Sequence, residues 1–219
     1  YIRQKIDEDT VIITGGLRRE FYGSDFKVFN SFYIIKKNEL IFYDKKKLVP
    51  FGEFIPFRFI LNSLKLTPGE TDFSRGKANN ILEFKHLGNK IIFEPSICYE
   101  SIFQTFNSSK INLFINITND AWFGNSSGPY QHFISSRFRA IEQGAPVFRS
   151  ANTGISAIID PYGRVIELIE LGSKGSIVSP LVKKTTTTYY SKVGDFLFFS
   201  VLVLTLIIMV LLKKKKNYG

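Results

Sequence analysis

Apolar and polar residues alternate along the chain in patterns that predict strands interleaved with helices. A β-branched run in "TVIITGGLRRE" predicts a strand that ends in a Gly-Gly turn, and "NSFYIIKKNELIFYDKKK" predicts two strands joined at "KKNE". The stretch "ILEFKHLGNKIIFEPSICYE" predicts a hairpin whose second strand ends at Cys98, and "INLFINITN" predicts an apolar strand that stops at Asn119. This order of elements indicates an α/β domain of at least two layers.

A helical period marks "GPYQHFISSRFRAIEQGAPVF". Phe133, Phe138 and Ile141 fall on roughly one side of this helix, and Gly144 lies near its end. The stretch "VFRSANTGISAIIDPYGRVIEL" that overlaps its end predicts two strands around an Asp-Pro-Tyr-Gly turn.

Shorter elements and loops fill the rest of the chain. Short helices are predicted for residues 58–66 and, with Ser101 as N-cap, for residues 101–106. The prolines of "LVPFGEFIPF" exclude a regular element and predict a structured loop, and "TPGETDFSRGKANN" is rich in turn residues.

The C-terminal segment carries the clearest physical signal. Residues Phe196 to Leu212 contain no charge, and Lys213 to Lys216 follow directly. As a helix the uncharged run spans roughly 25 Å at about 1.5 Å per residue, which suits a membrane span better than a buried core helix. Lysine excess marks the cytoplasmic side, so residues 1 to about 190 are expected outside the cytoplasm.

These signals divide the chain into four segments. We predict a folded α/β domain over residues 1–182, a linker over 183–192, a transmembrane helix over 193–212 and a basic cytoplasmic tail over 213–219. The chain has neither an initiator Met nor a signal peptide at its start, so we expect it to be the C-terminal part of a longer protein.

Composition excludes several classes of function. The formal net charge of +10 includes four lysines of the tail, and no nucleic-acid motif or dense arginine face supports a role in binding nucleic acid. A single cysteine excludes an intrachain disulfide, and two histidines far apart give little support to a metal site. We expect neither a metal nor a cofactor.

Polar residues follow strand ends or sit in Pro/Gly-fixed loops in four stretches, and such loops often carry catalytic groups. These stretches are "YDKKKLVPFGEF", "ICYES", "NDAWFG" and "RSANTG". The only cysteine, Cys98, lies in the second stretch, next to Tyr99 and Glu100. A lone cysteine on an apolar strand is usually a core residue, whereas one at a strand end beside a carboxylate can act as a nucleophile; the pattern alone leaves both readings open.

The stretches "YDKKKLVPFGEFIPF", "ICYE", "TNDAWFGNSSGPYQHF" and "FRSANTGISAIIDPYGRV" together resemble the nitrilase-like domain of the bacterial apolipoprotein N-acyltransferase family. The resemblance runs in order from about Thr10 to Val165, and a terminal membrane span follows as in that family. It implies an αββα sandwich on the periplasmic side of the inner membrane. It also implies transfer of a fatty acyl chain from a phospholipid to the N-terminal amine of a diacylglyceryl-cysteine apolipoprotein, in lipoprotein maturation.

The resemblance assigns three catalytic residues. Cys98 becomes the nucleophile that forms an acyl thioester in a ping-pong sequence. Lys45, two residues after a Tyr and three before "LVP", becomes the lysine that favours the thiolate and stabilises the oxyanion, although Lys46 and Lys47 crowd it. Glu53 becomes an acidic residue that orients this lysine. Without the resemblance, "KKK" reads as a solvated turn and Glu53 as an exposed carboxylate.

Four further residues are expected around the pocket: Tyr99, Glu100, Asn119 and Trp122. Tyr99 and Glu100 would form the wall beside the thiol, although Tyr99 fits a packing role equally well. Asn119, Asp120 and Trp122 border the pocket in the family, and the lone Trp would contact an acyl chain or the membrane surface. The alternative for this loop is a pair of Asx turns with an aromatic plug.

Other polar residues are given structural roles. His132 is expected to be structural rather than catalytic. Arg149, Ser150 and Asn152 are expected to fix a neighbouring strand turn and stay outside the catalytic set.

The chain departs from the family pattern at two places. Lys47 stands where the family often has His. The first glutamate of the Glu-Lys-Cys triad lies upstream of residue 1, and neither Glu8 nor Glu20 matches its motif. We therefore expect the chain alone to be inactive. The alternatives are a membrane-tethered amidase of the nitrilase superfamily, with water as acceptor, and a non-catalytic membrane-anchored binding module in which Cys98 is only a core residue.

Overall fold

The computed structural model describes residues 1–56, 72–77, 81–105, 110–185 and 187–217. Within these residues the chain forms nine strands, four α-helices and two short 3₁₀ helices. The strands are β1 (Ile12–Tyr22), β2 (Asp25–Ile35), β3 (Leu40–Asp44), β4 (Leu82–His86), β5 (Asn89–Ile97), β6 (Leu113–Asn119), β7 (Val147–Asn152), β8 (Ser156–Ile159) and β9 (Val165–Ile169). The α-helices are α1 (Ile2–Lys5), α2 (Gly128–Gln143), α3 (Tyr189–Val193) and α4 (Phe196–Asn217), and the 3₁₀ helices are Cys98–Ile102 and Asp120–Phe123.

The strands form two sheets. One is an antiparallel sheet in the order β1-β2-β3, and the other has the order β4-β5-β6-β7-β8-β9. In the larger sheet β5, β6 and β7 run parallel, while β4, β8 and β9 pair antiparallel at its two sides. The carboxyl ends of the three parallel strands therefore meet at one edge, where Cys98, Asp120 and Thr153 follow them directly.

The two sheets pack face to face through an apolar core. Phe32 of β2 and Phe93 of β5 are both fully buried, and their ring centroids lie 5.7 Å apart. Tyr43 and Ile97 belong to the same core, and the partly buried Cys98 packs against it. Apolar packing between the two sheets thus fixes the end of β5, in addition to any polar contact.

Helix α2 covers the outer face of the larger sheet. Its Phe133 and Ala140 pack with Phe114, Val147 and other residues of β6, β7 and β8 in a second core. Gly144 adopts a left-handed φ of 58° and ends the helix as predicted. The described residues thus form one helical layer over two packed sheets, which confirms the predicted α/β class.

The predicted Gly-Gly turn is wrong. Strand β1 continues through Gly15 and Gly16, and the hairpin turns later at Gly23, whose φ is 66°. A Cβ at Gly15 would lie 3.0 Å from the side chain of Ile117 on β6. The glycine therefore permits a close approach between the two sheets and does not end the strand.

The predicted apolar side of α2 is wrong in part. Phe133 is buried, but Phe138 and Ile141 are 53% and 46% exposed. The inward side instead carries polar residues, including His132 and Arg139. A periodicity that counts only apolar residues misplaces this helix face, because its partners under the helix are polar.

The remaining local predictions have mixed outcomes. The "KKNE" connection between β2 and β3, the hairpin β4–β5 and the end of β6 at Asn119 are confirmed. A 3₁₀ helix begins at Cys98 in place of the helix predicted to begin after Ser101. "VFRSANTGISAIIDPYGRVIEL" forms three strands, because residues 153–155 separate β7 from β8. The helix predicted for residues 58–66 lies outside the described residues.

The C-terminal segment packs on the domain and then leaves it. Thr185 donates from its amide to the carbonyl of Gly144 at 3.1 Å, so the predicted linker follows the end of α2. Val193 ends α3, and Gly194 with φ 55° separates that short helix from α4. The 18-residue stretch Phe196–Lys213 of α4 has a mean hydropathy of 2.7 and none of it is buried, so by length and composition this helix can cross a bilayer.

The two phenylalanines of α2 give a matched test of this packing. Phe133→Ala is expected to lower the free energy of unfolding by about 3–5 kcal/mol, because it leaves a cavity in the core under the helix. Phe138→Ala, on the exposed side of the same helix, is expected to change it by less than about 1 kcal/mol. Denaturant unfolding of the full-length protein measures both values, and equal losses would contradict the observed orientation of α2.

Candidate active site

Cys98 stands at the turn between β5 and a 3₁₀ helix, and its backbone is unusual. Its φ is 51°, in the left-handed region that residues with a Cβ rarely adopt. Such a conformation costs about 1–3 kcal/mol and persists where the surrounding structure enforces it. The thiol is free and partly buried. The strand end therefore presents a single thiol on a sharp, fixed turn.

Lys45 lies directly after β3 with its side chain buried. Its Nζ is 2.7 Å from Glu53 Oε2, and the two side chains are 1% and 12% exposed. Glu53 also accepts hydrogen bonds from the Val49 amide at 2.8 Å and from Asn30 Nδ2 at 3.1 Å. Removing one partner of a buried ion pair leaves the other uncompensated, so the positions of Lys45 and Glu53 depend on each other.

The loop that carries Glu53 is folded tightly, as its prolines predict. The Glu53 amide donates to the Val49 carbonyl at 2.8 Å, and Phe51, which has a φ of 61°, donates from its amide to the Phe54 carbonyl at 2.7 Å. On the other side, the Gly76 amide donates to the Lys45 carbonyl at 2.9 Å. A Cβ at Gly76 would come within 2.0 Å of the Asp44 carbonyl oxygen, so only glycine fits there.

The three consecutive lysines have different environments. Lys45 is buried, Lys46 is partly exposed and Lys47 is exposed. The ammonium of Lys47 lies 3.8 Å from the centre of the Phe103 ring. Of the three, only Lys45 is buried and paired with a carboxylate, a position that suits the role the resemblance implies for it.

Glu100 connects the lysine loop with the cysteine turn. Its Oε1 accepts hydrogen bonds from the Tyr43 hydroxyl at 2.8 Å and from the amides of Lys46 and Lys47 at 2.7 and 3.1 Å. Its Oε2 accepts from the Ile97 amide at 2.9 Å. Burial, together with the charge of Glu100, raises the pKa of Tyr43 far above its usual value, so this hydroxyl stays a donor. Glu100 therefore joins the lysine loop to the Cys98 turn through hydrogen bonds, and we call this contact the Glu100 joint.

The other residues expected at the pocket are arranged differently. Tyr99 packs edge-on against Phe103, with ring centroids 5.0 Å apart. Asn119 Oδ1 accepts from the Ala121 amide at 3.2 Å and from Asn152 Nδ2 at 3.1 Å, which is an Asx turn with a contact to β7. Trp122 is 62% exposed. The structure brings Lys45, Glu53, Glu100 and the Cys98 turn together, whereas Trp122 faces outward.

A cavity of about 310 Å³ lies beside this assembly. Its lining includes Glu100, Ser101, Lys46, Phe103 and Arg139, but neither Cys98 nor Lys45. In the part of the chain that the structure describes, no group of three His, Cys, Asp or Glu side chains is placed to hold a metal ion.

A buried charge cluster of Asp120, His132 and Arg149 lies under the Cys98 turn, and sequence reasoning did not group these residues. Arg149 Nη2 is 2.7 Å from Asp120 Oδ2, and both side chains are fully buried. His132 Nδ1 is 2.8 Å from Asp120 Oδ1, and His132 Nε2 is 3.0 Å from the carbonyl oxygen of Cys98. Arg149 also donates to Asn116 Oδ1 and, at 3.2 Å, to Ser136 Oγ.

Electrostatics couple the members of this cluster. Burial raises the pKa of Asp120, but the hydrogen bond from His132 and the charge of Arg149 outweigh burial, so the pKa lies below its ordinary value. Burial lowers the pKa of Arg149, and the negative charges of Asp120 and of a Cys98 thiolate oppose that decrease. The guanidinium and the thiol are therefore within electrostatic range of each other.

The motif "RSANTG" is the sequence signal that corresponds to this cluster. Gly154 of "RSANTG" packs on Asp120, and a Cβ there would lie 2.2 Å from Asp120 Oδ2. The motif thus supplies Arg149 as an ion-pair partner and Gly154 as the space for the carboxylate. The expectation that Arg149 fixes only a strand turn misses this contact with Asp120, which follows β6.

Comparison with known proteins assigns the fold to one family. A family model described as "Carbon-nitrogen hydrolase" matches residues 7–190. Because this match covers most of the chain, the chain belongs to the carbon-nitrogen hydrolase family. The nitrilase-like fold predicted from the sequence is therefore confirmed.

Among curated proteins the chain is similar to apolipoprotein N-acyltransferases, as predicted. It is 42% identical over 195 residues to the protein of that name from Rickettsia prowazekii, covering 86% of this chain and 39% of the relative. It is 41% identical over 192 residues to the one from Rhizobium rhizogenes, covering 82% of this chain and 35% of the relative. The chain thus spans little more than a third of the length of these relatives.

Solved structures agree on the fold. An amidase of the nitrilase superfamily from Nesterenkonia AN1 superimposes with a TM-score of 0.53 at 13% identity, over 74% of this chain and 58% of that chain. A glutamine-dependent NAD+ synthetase from Acinetobacter baumannii gives 0.56 at 15% identity, over 77% of this chain and 31% of that chain. At these identities the likeness concerns the fold alone.

Replacing Glu100 tests its role as a joint. In Glu100→Ala, the amides of Lys46 and Lys47 lose their acceptor, and we expect their hydrogen exchange in the full-length protein to accelerate by about tenfold or more. The control Glu83→Ala removes an exposed ion pair with Lys90 and is expected to leave both amides unchanged. Unchanged exchange in Glu100→Ala would show that other contacts hold the lysine loop.

Replacing Asp120 tests the buried charge cluster. At pH 7, Asp120→Asn leaves Arg149 without its carboxylate and is expected to cost about 3–5 kcal/mol of unfolding free energy. Because the folded pKa of Asp120 is depressed, its stabilising effect is present above the unfolded pKa and is lost as the pH falls through the folded pKa. The difference between wild type and variant should therefore shrink in acid. A difference that stays constant down to the lowest pH at which the protein folds would contradict this electrostatic role.

Proposed function

We propose that the chain is the catalytic part of a membrane-bound apolipoprotein N-acyltransferase. It would transfer a fatty acyl chain from a phospholipid to the N-terminal amine of a diacylglyceryl-cysteine apolipoprotein. The observation that carries the proposal is the joint at Glu100, which ties the Cys98 turn to the loop that presents the buried Lys45–Glu53 pair. The similarity to proteins named for this activity supports the choice of substrates.

In the first half of the reaction, Cys98 Sγ attacks the ester carbonyl of the phospholipid. A tetrahedral oxyanion forms and then collapses to an acyl thioester, and the lysophospholipid alkoxide leaves and takes up a proton. Lys45 stabilises the oxyanion, a role worth about 3–4 kcal/mol for one well-placed donor. Glu53 accepts from the Lys45 ammonium and holds it in place. The left-handed turn at Cys98 fixes the direction from which the thiolate attacks.

In the second half, the amine of the apolipoprotein attacks the thioester carbonyl. The new amide forms, the bond to sulfur breaks and the Cys98 thiolate is regenerated, while the proton lost by the amine passes to a base. Such a two-stage exchange gives ping-pong kinetics. We assign this step to the first glutamate of the family's triad, whose motif neither Glu8 nor Glu20 matches.

The apolar helix favours a reaction at the membrane. Asp195 directly precedes α4, and its carboxylate accepts from Gln104 Nε2 at 2.5 Å, while the Tyr190 hydroxyl donates to the same carboxylate at 2.8 Å. Gln104 lies only a few residues beyond Cys98, so the loop after the cysteine is tied to the start of the apolar helix. We propose that the domain sits at the periplasmic surface of the inner membrane with the C-terminus in the cytoplasm.

This tie also separates the leading proposal from an amidase. An amidase would use Cys98 and Lys45 with water as the acceptor, and its substrate would not need a bilayer. A fully exposed apolar helix joined to the loop beside the nucleophile supports a substrate that resides in the membrane.

Trapping the acyl-enzyme tests the proposal. Full-length protein incubated with acyl-labelled phospholipid and no acceptor is expected to accumulate label on Cys98, and addition of a diacylglyceryl peptide with a free amine should remove it. The thioester would be identified by its lability to hydroxylamine and by mass spectrometry of the Cys98 peptide. Label that persists in Cys98→Ala would contradict the mechanism.

The neighbouring lysines supply matched controls. Lys45→Ala is expected to lower the rate of thioester formation by at least about 100-fold, because it removes the donor to the oxyanion. Lys46→Ala and Lys47→Ala, which change less buried side chains of the same loop, are expected to stay within about threefold of wild type. Similar mild losses in all three variants would refute the assignment of Lys45.

A further inference from the structure

The contacts of His132 do not fit a neutral imidazole. Nδ1 faces the Asp120 carboxylate at 2.8 Å, and Nε2 faces the Cys98 carbonyl oxygen at 3.0 Å. Both facing atoms are acceptors, and a neutral imidazole has only one N–H. Each neutral tautomer therefore sets one ring lone pair against an oxygen lone pair.

The neighbouring donors do not remove this conflict. The Ser101 hydroxyl, 3.0 Å from Nε2, can donate to it, but the Cys98 carbonyl then still faces a lone pair. Arg149 Nη2, 3.2 Å from Nδ1, can donate to it, but Asp120 Oδ1 then faces a lone pair at 2.8 Å. Only the imidazolium donates to both Asp120 and Cys98 at once.

The charges of the surroundings agree with an imidazolium. The titratable groups in contact with His132 are Asp120, from the 3₁₀ helix that precedes α2, and Arg149 from β7. Cys98 contacts the ring through its backbone carbonyl, and the Phe123 ring centroid lies 5.7 Å away. Asp120 and Arg149 neutralise each other, so an imidazolium leaves the cluster with one net positive charge. A thiolate at Cys98 is the charge that balances it.

We propose that His132 is a positioning residue that, as an imidazolium held by Asp120, fixes the carbonyl of the left-handed Cys98 turn and supplies the positive charge that stabilises the Cys98 thiolate. The proposal rests on the proposed role of Cys98 as nucleophile, and it gives that role a source of activation beyond Lys45. His132 itself touches neither substrate nor the sulfur in this account. It acts through the backbone of Cys98 and through its charge.

The test measures the reactivity of Cys98 without any lipid substrate. Iodoacetamide alkylates the full-length protein between pH 6 and 8.5, and mass spectrometry of the Cys98 peptide gives the rate. His132→Leu removes both the donor and the charge and is expected to slow alkylation at pH 7 by about tenfold or more. His132→Gln keeps an N–H for the Cys98 carbonyl but carries no charge. Its alkylation rate should therefore lie between those of wild type and His132→Leu, and its pH profile should move to higher pH.

The second histidine of the chain is the control. His86 lies on β4, away from the cluster, and His86→Gln should leave the rate and the pH profile unchanged. Superimposed profiles for wild type and His132→Gln would overturn the proposal, because a packing role alone does not change the charge at the thiol. Thermal unfolding of each variant separates a loss of fold from a loss of reactivity.

A spectroscopic measurement needs no variant at the cluster. In protein labelled with ¹⁵N-histidine, the His132 ring, assigned by comparison with His86→Gln, should show both nitrogens protonated at pH 7, and an unprotonated Nε2 would overturn the proposal. If the His132 variants slow alkylation of Cys98 as expected but the wild-type protein forms no acyl-enzyme, the proposed transferase function is refuted and the role of His132 stands. If His132→Gln forms the acyl-enzyme at the wild-type rate and its pH profile of alkylation is unshifted, the role of His132 is refuted and the transferase function stands.

Discussion

The carboxylate of Glu100 is the contact on which the arrangement of the site depends. The lysine loop leaves the three-stranded sheet and the cysteine turn leaves the six-stranded sheet, so nothing in either sheet alone sets their distance. Glu100 accepts from Lys46, Lys47 and Tyr43 on one side and from Ile97 on the other. A buried carboxylate must satisfy its acceptor positions with donors, so desolvation itself draws the two loops together. The apolar core between the sheets then makes the joint rigid.

The parallel strands of the larger sheet explain why the polar residues of the candidate site lie at one edge. Adjacent strands β5, β6 and β7 end side by side, and the register pairs Ile97 with Ile117 and Asn119 with Asn152. The residues that follow these ends include Cys98 and Asp120. Ligands of open α/β sheets bind outside the carboxyl ends of the strands for the same reason. The polar inward side of α2 completes the arrangement from below the turn.

The sequence predicts those features that depend on neighbours along the chain. The end of β5 at Cys98, the folded loop around Glu53 and the apolar C-terminal helix follow from local periodicity, proline and charge. Features that depend on contacts between distant parts of the chain are not predicted from the sequence. Gly15 in β1 permits a close approach to Ile117, and the buried side of α2 carries polar residues, so neither feature follows from local rules.

The residues of the site show the same division. The resemblance proposes Cys98, Lys45 and Glu53 as catalytic residues, but it describes Glu100 only as part of a wall, and the sequence predicts only a structural role for His132. Their partners lie 54 and 34 positions away along the chain, at Lys46 and Cys98 respectively. A single sequence carries no sign of such pairings, because each residue satisfies its hydrogen bonds with atoms that only the folded chain brings near.

We propose that Glu100 acts by holding Lys45 at the Cys98 turn. A double-mutant cycle of Lys45→Met and Glu100→Ala, read as the alkylation rate of Cys98 in the full-length protein, tests it most directly. If Glu100 works through the lysine loop, Lys45→Met should slow alkylation strongly in the wild-type background and little once Glu100 is gone. Equal effects of Lys45→Met in both backgrounds would show that the two residues act independently and would refute this role of Glu100.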